Sequence, residues 1–179
     1  HGGGIEINEA LNKMNIQSEF INGLRVTDEE TMRVVQMVLA GKVNKDLVNL
    51  IHTKGGKAIG LSGIDGHMIK ASIKDPSLGY VGKIEEVNVQ PILDVIEKGY
   101  IPVISTIGCD TQGNTYNINA DTAAAKIAGE LGAESLITMT DIAGILRDEE
   151  DASTLIPVVN LEDVDQLIAD QVITGGMLP

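Results

Sequence analysis

The segment Tyr116-Asn117-Ile118-Asn119-Ala120-Asp121 sets two amides and a carboxylate at alternate positions, just ahead of an alanine-rich run from Thr122 to Leu131. Extended chain points alternate side chains the same way, so Asn117, Asn119 and Asp121 are expected to line one polar surface. The run behind them reads as a helix, because Ala123, Ala124, Ala125, Ile127, Ala128 and Leu131 are good formers and Gly132 is a stop signal. Either Asn119 or Asp121 can cap that helix. A cap needs one such residue, however, and three stand here. A helix N-terminus opening on a polar pocket suits an anion. The segment is therefore read as the floor of an active site.

Three other stretches can contribute chemistry. His1-Gly2-Gly3-Gly4 precedes a helical pattern at Ile7, Leu11 and Met14, and glycines let backbone N–H groups approach a ligand. The run matches neither the Walker A pattern nor the dinucleotide fingerprint, and an ordinary turn would look the same. Arg25 follows Asn22-Gly23, a strong hairpin signal between apolar residues. It is either a solvated hairpin charge or a planar fork for a carboxylate. Thr140 and Asp141 end an apolar stretch, where ligands collect in parallel sheets, although Asp141 also fits a loop or cap.

Other candidates carry less. Lys54-Gly55-Gly56-Lys57 has no Ser or Thr after its lysine and reads as a surface connection. Ser62 is no nucleophile elbow, since position 64 is Ile. His52 suits a helix C-terminus and His67 a solvated turn. The three histidines are far apart, so no metal-ligand spacing appears. Cys109, the single cysteine, has no basic neighbour and reads as incidental.

Composition narrows the classes. The 179 residues hold 43% hydrophobic side chains and 20 glycines, which suits a folded chain of one domain or two small lobes. With 2% aromatics and no Trp, aliphatic residues must build the core. A formal charge of -13 argues against a nucleic-acid partner. No apolar run is long enough for a membrane span. The lone cysteine fits a reducing cytoplasm.

The elements that must position these residues alternate. Thr27-Asp28-Glu29-Glu30 predicts a capping box for a helix to about Ala40, stopped by Gly41. A further helix is expected from Asn44 to His52, and a strand over Ala58 to Leu61. Short strands are expected at Met68 to Ser72 and Gly82 to Val87. An amphipathic helix over Val89 to Glu97 precedes a buried strand at Tyr100 to Ser105, with Pro102 near its start or an edge. Ser135 to Thr140 reads as a strand, Asp148 to Asp151 as a solvated acidic loop, and Leu161 to Ala169 as a helix. This alternation predicts an α/β sandwich with a largely parallel central sheet.

Together these motifs resemble the acetylglutamate kinases, a branch of the amino-acid kinase family. The resemblance rests on His1-Gly2-Gly3-Gly4, Asn22-Gly23-Leu24-Arg25-Val26-Thr27, Gly41-Lys42-Val43-Asn44, Gly60-Leu61-Ser62-Gly63 with Asp65-Gly66, Asn117 to Asp121, Thr140-Asp141 with Gly144, and Gly175-Gly176-Met177. They run in family order along the whole chain. The hairpin motif is what points to the acetylglutamate branch.

The resemblance implies a three-layer fold and a cytoplasmic phosphotransferase of arginine biosynthesis, acting on the side-chain carboxylate of N-acetyl-L-glutamate with MgATP. A homo-oligomer, dimer or higher, is the expected assembly. Gly3 and Gly4 would offer backbone donors to the substrate and the transferring phosphoryl. Arg25 would grip the α-carboxylate, Asn117 would hold the substrate, and Asp121 would orient catalytic lysines. Thr140, Asp141, Gly175 and Gly176 would serve the nucleotide. Residues 1–132 would form the acceptor lobe and 133–179 part of the nucleotide lobe. The family's Lys-x-Gly-Gly loop ahead of the His-Gly-Gly-Gly segment, and its lysine closely following Gly-Gly-Met, are not in this chain. The chain is accordingly expected to be the central part of a longer enzyme, with those lysines on either side. Another kinase of the family, for aspartate, glutamate or uridylate, is the alternative, and a non-catalytic ligand-binding module is a third reading.

Overall fold

The computed structural model describes residues 1–140, 142–148, 150–174 and 177. It divides into two compact units, His1–Leu136 and Ile137–Pro179.

The first unit starts with helix α1 (Gly4–Lys13), which buries Ile7 and Leu11. Strands β1 (Phe20–Ile21) and β2 (Leu24–Arg25) form the expected hairpin. Asn22 and Gly23 have φ of 50° and 77°, the pair of positive values that a two-residue turn of this hand requires. Helix α2 (Glu29–Gln36) is capped by Asp28, whose side chain accepts from Thr31 N at 2.8 Å. The cap is therefore Asp28 rather than the expected Thr27, whose buried hydroxyl is used elsewhere.

The expected stop at Gly41 does not occur. A π-helical segment (Met37–Val43) carries the chain directly into α3 (Asn44–Thr53), with helical dihedrals at both junctions. Val38, Leu39 and Asn44 are all buried, and their packing outweighs the weak helix propensity of one exposed glycine.

Strand β3 (Ala58–Ser62) pairs in parallel with β6 (Ile101–Ser105), from Ala58 opposite Ile101 to Ser62 opposite Ser105. A second sheet has the order β5 (Gly82–Val87), β4 (Ile69–Ile73), β7 (Ile107–Cys109), β8 (Thr115–Asn117). Its β4/β7 pair is parallel, and its two outer pairs are antiparallel hairpin partners. Helix α4 (Gln90–Glu97) leads into β6, and α5 (Ala120–Glu130) follows β8. The α/β reading holds, with one parallel pair in each of these two sheets, β3/β6 and β4/β7.

The core is aliphatic, as the composition requires. One cluster packs Ile7, Leu11, Met32, Val35 and Leu39 with Ile107, and another packs Met68, Ile69, Ile92 and Ile118 with Ala123. Cys109 is buried, and burial raises its thiol pKa. The expectation of no basic neighbour does not hold: the chain turn at His67 brings its Nδ1 to 3.5 Å from Cys109 Sγ.

The second unit holds short turns and helix α6 (Val164–Ala169), with Leu167 and Ile173 buried. Asp151 caps the turn at Ala152–Thr154. The strand expected over Ser135 to Thr140 is not formed. A strand needs a ladder partner, and none of the described residues pairs with it; Ile137 and Met139 are 83% and 95% exposed.

Candidate active site

The glycine loop, the hairpin and the β8–α5 junction meet at one cleft of about 190 Å³. Gly2, Gly3 and Gly4 form one wall, Gly23, Leu24 and Arg25 another, and Asn117, Asn119 and Ala120 a third. Ile7, Leu39, Val81 and Ile118 give it an apolar side.

Two helices begin at this cleft. Gly3 is the N-cap of α1, and Asn119 is the N-cap of α5, accepting from Thr122 N at 2.9 Å. Helix N-termini carry partial positive charge and unsatisfied N–H groups. A Cβ on Gly3 would sit 2.9 Å from Leu39 Cδ2 and 3.0 Å from Val43 Cγ2, whereas one on Gly4 would meet nothing within 4 Å. Gly3 is thus small because the π segment packs on it, whereas nothing crowds Gly4.

Arg25 is only 6% exposed. Its guanidinium donates to Ser18 Oγ and to Gly4 O, the latter at 3.3 Å, and its Cζ lies 4.6 Å from the centre of the Phe20 ring. Burial pushes its pKa down from the usual arginine value. No carboxylate pairs with it among the described residues. A buried cation without a counter-ion is costly, and an incoming carboxylate relieves that cost.

Asn117 is fixed against the hairpin in two ways. Its Nδ2 donates to Thr27 Oγ1 at 3.2 Å, and Thr27 Oγ1 donates to Arg25 O at 2.8 Å. The Tyr80 backbone also joins the two strands, donating to Thr27 O at 2.7 Å and accepting from Asn117 N at 2.8 Å.

The alternate-position surface ends at Asn119. Helix α5 starts at Ala120, so side chains then turn by about 100° per residue instead of alternating. Asp121 is exposed on the first turn and is not among the lining residues. Thr140 lies in the second unit, where its Oγ1 donates to Ile142 O at 3.0 Å. Asp141, Gly175 and Gly176 lie outside the described residues. Sequence reasoning missed Thr106, a buried residue of the cleft whose Oγ1 donates to His1 O at 3.4 Å. It sits between two strands that read as one apolar run, and nothing in its neighbours marks it. No group of three or more potential metal ligands occurs among the described residues.

A family model described as the amino acid kinase family matches residues 1–179. The chain belongs to the amino acid kinase family. It is 59% identical over its whole length to an acetylglutamate kinase of Clostridioides difficile, covering 63% of that protein. It is 55% identical to acetylglutamate kinases of Brachyspira hyodysenteriae and Thermosynechococcus vestitus, covering 63% and 61% of them. The chain therefore spans about three-fifths of the length of these relatives. Among solved structures, smu.665 of Streptococcus mutans superposes with a TM-score of 0.91 at 32% identity, over 99% of this chain and 71% of that one. An isopentenyl phosphate kinase shares the family's fold at a TM-score of 0.59 and 17% identity, over 100% of this chain and 75% of that one.

Proposed function

We propose that this chain supplies the acceptor site of an acetylglutamate kinase, which moves the γ-phosphoryl of MgATP to the side-chain carboxylate of N-acetyl-L-glutamate. The observation that carries the proposal is Arg25, a buried guanidinium with no carboxylate partner among the described residues, at a cleft lined by glycine backbone and an amide. The identities of 55–59% with proteins of that name support the same substrate.

The chemistry asks little of acid–base catalysis. A carboxylate is already ionised near neutral pH, so the nucleophile needs no base. One carboxylate oxygen forms a bond to the γ-phosphorus as the bond to the bridging β–γ oxygen breaks; the products are an acyl phosphate and ADP. The difficulty lies in holding two anions together and stabilising charge on the equatorial oxygens in flight. In this reading Arg25 binds the α-carboxylate, Asn117 holds the substrate, and Gly3 and Gly4 offer N–H donors at the positive end of α1. The apolar side formed by Ile7, Leu39 and Val81 accommodates the acetyl methyl and the aliphatic stem. Asp121 orients lysines, and Thr140, Asp141, Gly175 and Gly176 serve the nucleotide. Residues 1–132 are the acceptor lobe and 133–179 part of the nucleotide lobe. A cytoplasmic homo-oligomer, with Mg²⁺ arriving on the nucleotide, completes the proposal.

The test is acceptor specificity of the full-length protein. With ATP and hydroxylamine, acyl hydroxamate should form from acetylglutamate and not from free glutamate or aspartate, and uridylate should give no ADP. Turnover of one of those acceptors instead would move the assignment within the family. Nucleotide binding without turnover of any of them would favour the non-catalytic module.

A further inference from the structure

Asn44 is 1% exposed at the start of α3, between the parallel pair β3/β6 and the glycine loop. Its Nδ2 donates to Val103 O at 2.8 Å and lies 3.1 Å from both Leu61 O and His1 Nε2. Its Oδ1 accepts from Lys45 Nζ at 3.0 Å. A Cβ on Gly60 would overlap Oδ1, so the amide is closely seated on β3.

The amide orientation follows from its partners. Turned over, it would aim Oδ1 at two carbonyl oxygens, so the donor end must face β3 and β6. The same donor end faces His1 Nε2. Nδ2 has two hydrogens for three acceptors, so Leu61 O and His1 Nε2, both at 3.1 Å, share one. An imidazole nitrogen facing a shared N–H has to be unprotonated, which leaves the ring proton on Nδ1. Nδ1 lies 2.9 Å from Gly2 O and donates to it.

We infer that Asn44 is a positioning residue, which holds His1 as the Nδ1–H tautomer so that His1 pins the Gly2 carbonyl and sets the Gly2–Gly3 peptide plane at the cleft. The effect runs through hydrogen bonds from a buried helix residue to the backbone that would contact the substrate. Nothing in the relay touches the reacting atoms. The functional part of this inference rests on reading the cleft as the acetylglutamate site; the tautomer does not.

The experiment uses the full-length protein. Nitrogen-15 NMR of the His1 ring, assigned through loss of its signals in His1→Gln, should show the neutral Nδ1–H tautomer. An Nε2–H ring or an imidazolium at neutral pH overturns the relay, whatever the enzyme phosphorylates. Asn44→Leu removes bonds to two buried carbonyls and can fail to fold, so His1→Leu is the decisive variant. It leaves the amide on Leu61 and Val103 and removes the ring, with its bonds to Asn44 and to Gly2 O. Its Tm should stay close to wild type. Its kcat/KM for acetylglutamate should fall tenfold or more, with the KM for ATP within twofold. Unchanged kcat/KM overturns the positioning role. If wild-type protein does not phosphorylate acetylglutamate, the proposed function fails, and the NMR measurement still decides the tautomer.

Discussion

Asn117 Nδ2 donates to Thr27 Oγ1 at 3.2 Å, across 90 residues of sequence. The hydroxyl has one hydrogen, and it goes to Arg25 O at 2.8 Å, so Thr27 accepts from one cleft residue and donates to the backbone of another. Thr27 is fully buried and sets the spacing of two proposed substrate contacts. Thr27→Val keeps the shape and removes the hydroxyl. Both of its hydrogen bonds are lost, and the one that holds the Asn117 amide is worth about 1 kcal/mol. The KM for acetylglutamate should rise roughly fivefold, with the KM for ATP unchanged. Steady-state kinetics with each substrate varied in turn decides this, and equal rises in both constants would refute a local role.

Arg25→Lys tests the carboxylate anchor. An ammonium keeps the charge but cannot reproduce the planar two-point fork. The KM for acetylglutamate should rise tenfold or more, while a surface charge would leave it unmoved. Thermal melting separates lost binding from lost folding.

Gly3 and Gly4 should respond in opposite ways. In Gly3→Ala the new methyl presses on Leu39 and Val43, and overpacking of this kind costs about 1–3 kcal/mol. Gly4→Ala meets no neighbour within 4 Å, and a glycine replaced without strain gains about 0.4–1 kcal/mol. Gly4 nevertheless lines the proposed acceptor site, so activity should fall as Tm holds or rises. Activity retained in Gly4→Ala would place the substrate elsewhere.

Asp121→Asn tests the proposed alignment of lysines. Asn119 already caps α5, and Asp121 is exposed, so the fold should survive the change. Turnover in the full-length protein should drop roughly a hundredfold if lysine alignment is worth ~3 kcal/mol at the transition state. Acetylglutamate affinity should change less. A melted protein with normal activity per folded molecule would make Asp121 merely structural.

Asp110 gives a pH prediction away from the cleft. Hydrogen bonds from the Asn114 side chain first, then from Tyr116 and the turn backbone, hold its pKa down at about 2. A carboxylate with a lowered folded pKa stabilises the fold above its unfolded value, and that contribution is lost as pH falls through the folded one. Carboxyl chemical shifts should show Asp110 ionised until about pH 2, and Asn114→Ala should move its midpoint upward. A midpoint that stays put in Asn114→Ala would assign the shift to another partner.

Much of the cleft was legible because its parts are local signals. Asn22-Gly23 specifies its turn through backbone dihedrals alone, and the alanines of α5 declare a helix without help. Neighbouring contacts were not legible. Helix continuity through Gly41 depends on Val38, Leu39 and Asn44 packing on other elements, which no window of sequence contains. Strand β7 was hidden beside β6 in one apolar run. Ser135 to Thr140 has strand composition, but composition does not supply a ladder partner. The place of Asp121 turned on where α5 begins, a matter of one residue at Ala120. Asn44 looked like any polar residue at a helix start, since its partners Leu61, Val103 and His1 are distant in sequence.

The π segment is also a phase adjuster. Seven residues, Met37–Val43, separate the face of α2 that buries Met32 and Val35 from the face of α3 that presents Asn44. An α-helix advances about 100° per residue, and a π turn absorbs one extra residue without breaking the rod. A further residue added here, with the π segment already in place, would not be absorbed and would swing one half of the rod by about 100° against the other. Either Asn44 would leave β3 and β6, or Leu39 would leave the glycine loop. Met37 and Gly41 are exposed, so side-chain changes there should leave the rod in place, whereas an added residue should not.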